Sequence, residues 1–278
     1  MNYKLLYPDF STKAVTFSFD DGTFYDVFLV DMMNKYGLKC TFNLNTGIFG
    51  ATAHIDFGTK IVYHNRLSEE QTGMLYKGHE LASHSLHHPL LINQPKEFLD
   101  YEVLEDIKNL DRITGEKTVG FVYPGGPHDD FTDAYLKDKV LYARSASANH
   151  SFELPESFVP FDPTVFFLED GFLKMSEQYL ESSPDHITWL YIWGHSYEFA
   201  LGDSYKNLDY VCKKVSERTD VWNSTNRDVI DYVNCARALK CVGDELINDS
   251  HRDVCVECNN KKLTVKANSK LNVKKATE

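Results

Sequence analysis

What this sequence lacks narrows it first. No stretch is long and apolar enough to span a bilayer, which excludes a transmembrane helix. Basic residues are few: 29 Lys and Arg stand against 41 Asp and Glu, for a formal net charge of −12 and a pI near 5.4. A nucleic-acid or anionic-membrane surface would need a basic face, and none is concentrated anywhere; only the closing "KLNVKKATE" is mildly basic. Six cysteines (Cys40, Cys212, Cys235, Cys241, Cys255, Cys258) make no disulfide framework and fit a reducing compartment. "CVEC" at 255–258 has no second pair to make a zinc ribbon and no strand-to-helix setting for redox work, so it reads as structural or incidental. The opening "MNYKLLYPDFSTK" has none of the parts of a signal peptide, so a cytoplasmic location is expected, although a chain already trimmed of a leader would read the same. Internal repeats and low-complexity linkers are also missing, and oligomeric state leaves no readable mark. What is present, 42% hydrophobic residues in 278, can bury one large core with or without a small appendage.

Strand-like and helix-like segments alternate along most of the chain. "AVTFSF" is a short β-rich run followed by "TFYDVFLVDMMNKYG", whose apolar residues recur at helical spacing until Gly37. "LKCTFNLN" is a second strand. "SEEQTGMLYKG" opens on a capping box, Ser68 with Gln71, and precedes the strand "ELASHS". "PKEFLDYEVLEDIKNLDRITG" is a long amphipathic helix between Pro95 and Gly115, leading into "TVGFVYPGG". "KVLYARS", a helix at "GFLKMSEQYLES", the strand "ITWLYIWGH" and helices around 204–217 and 226–240 continue the rhythm. Parallel strands covered by helices follow, in a number that suits a barrel better than an open sheet. Beyond about residue 241 the short runs "RDVCVEC" and "KLTVKAN" indicate a small β appendage, so the expected division is 1–240 and 241–278.

In a parallel barrel the functional residues gather at the C-terminal ends of strands. Asp20 and Asp21 end the first strand, His84, His87 and His88 follow "ELAS", and Pro124 with two glycines follows "GFVY". Arg144 ends "VLYA" and His195 ends "TWLYIWG". "HSLHH" sets His84 and His88 four apart, so one helical turn would aim both imidazoles the same way, with Pro89 ending it. Two imidazoles and a carboxylate suit zinc or a related divalent ion, and Asp21 is the obvious third ligand. A second carboxylate, Asp20, can take a proton from water whose pKa a metal lowers from 15.7 to about 7. His195 can serve as general acid or merely orient its neighbours, and Trp193 is close enough to wall a small substrate group. The bland alternatives are an Asp-Gly loop at "DDG" and an exposed polar turn at "HSLHH".

"FSFDDG", "HSLHH" and the strand ending in His195 resemble the motifs of the polysaccharide deacetylase family, the NodB homology domain of carbohydrate esterase family 4. The resemblance runs over about residues 12–235, and "WGHSYEF" is similar to the final motif of one subgroup. It implies an α/β fold, a distorted (β/α) barrel with fewer than eight complete strands. It also implies removal of an N-acetyl group from an amino sugar of an acetylated carbohydrate, releasing acetate, with a divalent metal, zinc foremost and cobalt or nickel possible. By the resemblance Asp20 is the base, Asp21, His84 and His88 hold the metal, His195 is the acid, and His87 is at a non-ligand position. The third motif departs: Val122 stands where the family often has arginine and Gly125 where it has tyrosine. Arg144 is then the candidate partner of Asp20, with a surface salt bridge as the alternative, and the Gly125 N–H the candidate oxyanion donor. Expected substrate contacts are Tyr123, Pro124, Gly125, Trp193, Tyr197 and Glu198, the last two alternatively bracing His195. The same scaffold allows hydrolysis of an O-acetyl ester or of a small amide, and a catalytically degenerate sugar-binding protein is the reading from another class.

Overall fold

The computed structural model describes residues 2–277. Met1 and Glu278, the outermost residues of the two expected stretches, lie outside the described residues. Eight parallel strands make the central sheet: β1 (Lys13–Asp20), β2 (Thr41–Leu44), β3 (Glu80–Ser83), β4 (Gly120–Val122), β5 (Tyr142–Arg144), β6 (Val165–Phe166), β7 (Thr188–His195) and β8 (Val221–Asn223). Their order is β5-β4-β3-β2-β1-β7-β6, with β8 pairing the first residues of β1 while β2 pairs its last. The ring closes between β5 and β6 through an irregular segment: Phe161 bridges Arg144, and Ala143 N donates to Phe158 O at 2.8 Å. The fold is a distorted (β/α) barrel, because a two-residue strand and a loop stand where a regular barrel has full strands.

The alternation along β1 assigns its residues to two layers. Val15, Phe17 and Phe19 join the core beneath the outer helices, with Leu29, Met33, Leu190 and Ile192. Ala14, Thr16, Ser18 and Asp20 fall on the other face, inside the barrel, where Thr16 accepts a bond from Trp189 Nε1 at 3.1 Å. β7 pairs β1 in register over its whole length, so Tyr191, Trp193 and His195 stand beside Thr16, Ser18 and Asp20. The interior is thus polar towards its C-terminal end, as a binding mouth requires.

The expected helices form, at Asp26–Lys35, Glu69–Leu75, Lys96–Leu99 with Glu105–Thr114, Phe172–Glu181, Ser204–Ser216 and Asn226–Arg237. Ser68 and Gln71 make the capping box, and Gly115 ends its helix at φ 71°. The long helix contains a π turn at Asp100–Leu104, an insertion of the kind found at functional sites. Two three-stranded antiparallel sheets follow the barrel. One sets Val254–Cys258 between Lys261–Val265 and the N-terminal strand Lys4–Leu6; the other joins Lys240–Val242, Glu245–Asn248 and Ser269–Asn272. One apolar cluster runs from Tyr7, Val229 and Tyr232 to Leu246, Val254 and Val265, so helix Asn226–Arg237 is shared between barrel and appendage.

Candidate active site

A cleft of about 430 Å³ opens at the C-terminal mouth of the barrel. Asp20, Asp21, His84, His87, His88, Tyr123, Gly125, Trp193, His195 and Tyr197 line it. Two adjacent aspartates reach it because the strand alternation fails at its end: Asp21 turns to φ 87° and Gly22 follows at 64°. A Cβ on Gly22 would meet Leu44 Cδ2 at 2.7 Å, so only glycine leaves the strand this way.

Asp20 is held from two sides. Asn43, its register partner on β2, donates from Nδ2 to Oδ1 at 2.7 Å. Arg144, fully buried at the end of β5, donates from NH2 to the same oxygen at 2.5 Å. The guanidinium also lies 4.8 Å over the Trp193 ring, which backs it with a π face. A salt bridge to Asp20 inside the barrel replaces the surface salt bridge that a strand-end arginine would also allow.

Asp21 faces the histidines. Its Oδ1 is buried, lies 3.9 Å from His84 Nε2 and 3.7 Å from His88 Nε2, and takes no hydrogen bond. Arg66 NH1 approaches that oxygen to 3.0 Å as a charge contact while its hydrogen bond goes to the Asp21 carbonyl. His64 Nε2 donates to Oδ2 at 3.0 Å. Burial pulls the Asp21 carboxyl upward, but the His64 bond and the charges of Arg66, His195 and His84 outweigh it and hold it well below the usual carboxylate range.

His84 and His88 do not share a helical turn, contrary to the expectation from their spacing. Ser85 and His88 adopt φ 64° and 62°, Ser85 Oγ accepts from His88 N at 3.1 Å, and Asn45 Nδ2 donates to the carbonyls of His84 and Ser85. The rings still meet, 4.6 Å apart at 79°, because the loop doubles back. His84 Nδ1 lies 2.8 Å from the Val122 carbonyl, which can only accept, so the proton is on Nδ1 and Nε2 is free as a ligand. Burial brings His84 down to about 4, against the pull of Asp20, and lowers His88 as well. Both rings are neutral at pH 7, as ligands must be. His87 is turned away to Glu102, delivered by the π turn, whose Oε1 accepts from Nδ1 at 2.9 Å.

Asp21, His84 and His88 offer ligand atoms within 4.8 Å of one another. An orphaned buried carboxylate oxygen, a fixed tautomer and two neutral imidazoles fit a divalent metal.

Beside Asp20, on the neighbouring strand β7, His195 is its register partner. Burial drives its pKa down, but the Glu198 carboxylate, 3.2 Å from Nδ1, and the charges of Asp21 and Asp20 push it up to about 9. Glu198 also accepts from the His195 N–H at 3.1 Å. Tyr197 is wedged between His195 and His64, with ring centroids 5.0 and 4.6 Å away.

Two of the expected substrate contacts are absent from the lining of the cleft. Pro124 is buried behind the wall, where it sets the turn Tyr123–Gly126 that Gly126 N closes onto Tyr123 O at 2.9 Å. Glu198 takes the alternative expected of it, its carboxylate facing His195. Gly125, exposed at φ 68°, keeps its N–H outside the turn bond. Three site residues escaped the motifs: Asn43, His64 and Arg66. His64 and Arg66 follow the hairpin His54–Asp56 and Ile61–Tyr63 and are directed at Asp21 by an antiparallel bridge between Thr23 and Arg66. The only signal was their spacing of two in an extended segment.

A family model for polysaccharide deacetylase matches residues 8–142, the segment holding both aspartates and both facing histidines. The match covers just under half of the chain, and over that segment the chain is similar to the polysaccharide deacetylases. No curated protein matches it. Among solved structures it is similar to a Mycobacterium smegmatis protein assigned to the polysaccharide deacetylases, with 14% identity, 85% of this chain and 95% of that chain covered, and a TM-score of 0.61. A family 4 carbohydrate esterase from Streptomyces lividans, in complex with acetate, aligns at 12% identity over 77% of this chain and 93% of that one, TM-score 0.51. The family 4 domain of a multidomain xylanase from the hindgut metagenome of Trinervitermes trinervoides aligns at 15% identity over 80% and 91%, TM-score 0.50. At these identities the structural likenesses carry the deacetylase fold and nothing finer. Among the described residues no helix is long and apolar enough to cross a membrane.

Proposed function

We propose that this chain is a polysaccharide deacetylase that hydrolyses the N-acetyl group of an acetylated amino sugar, with Asp20 as base and His195 as acid. The observation that carries the reading is the division of the two aspartates. Asp20 is bound by a buried cation and an amide, while Asp21 turns an unbonded oxygen to two neutral imidazoles. A protein that only bound sugar would need neither a braced base nor a protonated histidine facing it.

Asp21, His84 and His88 would hold a divalent metal, zinc foremost, with cobalt and nickel suited to the same donors. When bound, such an ion supplies Lewis-acid polarisation of the carbonyl and a lowered pKa for water. The chain's own residues do the rest. Arg144 and Asn43 both bind Oδ1 of Asp20, leaving Oδ2 to take the proton of the attacking water. The Gly125 N–H donates to the acetyl oxygen as it gains charge. His195, protonated at pH 7 with its pKa at about 9, gives its proton to the departing nitrogen, and acetate and a free amine are the products. Trp193, Tyr123 and Tyr197 wall the sugar, the Tyr123 hydroxyl being turned away to donate to Asp133 at 2.7 Å. We place this chemistry in residues 1–240, with 241–278 as a brace, and in the cytoplasm, which six unpaired cysteines among the described residues support.

The test is acetate release from N-acetylated chitooligosaccharides by protein loaded with zinc or cobalt, with acetylated xylan and a cyclic amide as comparison substrates. Acetate from the first alone is the expected result. Release from xylan alone would move the assignment to an ester, and none from any acetylated sugar would end it.

A further inference from the structure

A second group of ligand atoms lies far from the cleft, where the barrel meets the appendage. Asp231 and Cys235 are four apart on helix Asn226–Arg237 and so share one face of it. His251, in the loop between strands Glu245–Asn248 and Val254–Cys258, completes the set, and the three offer ligand atoms within 4.8 Å of one another. His251 Nδ1 is 3.9 Å from Cys235 Sγ and its Nε2 is 3.0 Å from Asp231 Oδ2.

We propose that Asp231, Cys235 and His251 form a binding site for a thiophilic divalent metal such as zinc, which joins the last barrel helix to the appendage. The donors argue for it by type: one thiol, one imidazole and one carboxylate are the mixed set that zinc accepts and that magnesium and calcium do not. The sulfur-to-nitrogen separation is close to that between two ligands of one tetrahedral ion, about 3.6 Å from bond lengths near 2.3 and 2.05 Å. The loop is also built in advance. Asn248, 1% exposed, donates from Nδ2 to the carbonyls of Arg252 and Val265, and Ser250 bonds to Asn248 Oδ1, so His251 is presented by a fixed turn. Access is asymmetric: Cys235 is buried, Asp231 is 22% exposed and His251 is 69% exposed, so an ion enters from solvent and reaches the sulfur last.

The neighbouring charge is Arg252, whose Nε contacts Asp231 Oδ2 at 2.6 Å and whose NH2 bonds Asp228. Both this contact and that of His251 fall on Oδ2, and neither engages Oδ1. Binding requires the Cys235 thiol to release its proton to solvent, so uptake liberates one proton. The consequence is mechanical: the ion crosslinks segments that the apolar cluster already packs together.

Cobalt(II) titration of the full chain separates this site from the cleft, because Asp21, His84 and His88 include no sulfur. Two equivalents should bind, one of them with a near-ultraviolet thiolate-to-cobalt charge-transfer band. His84→Ala should lose the cleft's equivalent and keep the band; Cys235→Ser and His251→Ala should each lose the band and keep the other equivalent. Zinc should raise the melting temperature of His84→Ala and leave that of His84→Ala/Cys235→Ser unchanged. Absence of the band in the folded wild-type protein overturns the proposal, and so does a band that survives Cys235→Ser, which would place the cobalt on another thiol such as the exposed Cys241.

Discussion

The two halves of the barrel furnish the site in different ways. The half inside the family match supplies Asp20, Asp21, Asn43, His84 and His88 from three neighbouring strands, β1 to β3, and their contacts pass between adjacent strand ends. The half beyond residue 142 supplies Arg144 from β5, three strands away from β2 in the sheet order, and Trp193, His195 and Glu198 from β7 and the turn after it, β7 being the other neighbour of β1. There the decisive contact, Arg144 to Asp20, joins residues 124 apart. The candidate ligand donors therefore come from short motifs, Asn43 and His195 reach Asp20 from the strands on either side of it, and Arg144 alone of the groups at Asp20 comes from a distant strand end.

The sharpest way to break that comparison is His84→Ala, which removes a proposed ligand nitrogen from the first half. Metal content of the purified protein and acetate release should both fall to background. A variant that keeps its metal and its rate would show that the ion is held elsewhere. Asp20→Asn comes next: it should retain metal and lose about 10²–10⁴-fold in kcat. Metal loss in this variant would merge the two roles assigned to the aspartates.

Arg144→Met probes the contact between the halves. It leaves the Asp20 carboxylate buried without its cation, which should cost about 3–5 kcal/mol in chemical denaturation. The double variant Asp20→Asn/Arg144→Met should recover most of that stability and no activity, and simple additivity of the two single effects would contradict a coupled pair. The smallest expected effect is that of Glu198→Gln, in the second half alone. His195 is protonated up to about pH 9 although burial opposes it, and Glu198 leads the causes that raise its pKa. Removing that carboxylate's charge weakens the imidazolium, so the alkaline limb of the kcat profile should move to lower pH, with metal content and KM little changed. An unmoved limb would assign the acid to another group.

Much of the fold was legible in residue patterns. β1 reads as a strand because it is an apolar-rich run buried on both faces, and the helix at 96–114 carries its start and stop signals in Pro95 and Gly115. "HSLHH" shows how two rings can come together on a local geometry other than the one their spacing suggests. Spacing of four suggests a helical turn, but Asn45 and the Ser85 hydroxyl hold the backbone in a reversed loop that brings the same rings together. His64 and Arg66 were not legible, because nothing in an extended loop says which strand it will cross.

By itself, the sequence determined the alternation of strands and helices, the strand ends that carry chemistry, and the pairing of two carboxylates with two histidines. These depend on short-range periodicity and on residue type, which a linear chain carries in full. Only the tertiary structure decided that Arg144 is the cation of Asp20, that the Val122 carbonyl sets the tautomer of His84, and that Glu198 belongs to His195 rather than to the substrate wall. Each of those contacts depends on sheet order, on ring closure through Phe161 or on the fold of a loop. A hydrogen bond is satisfied by whatever partner the packed chain sets within about 3 Å, and sequence distance places no limit on which residue that is.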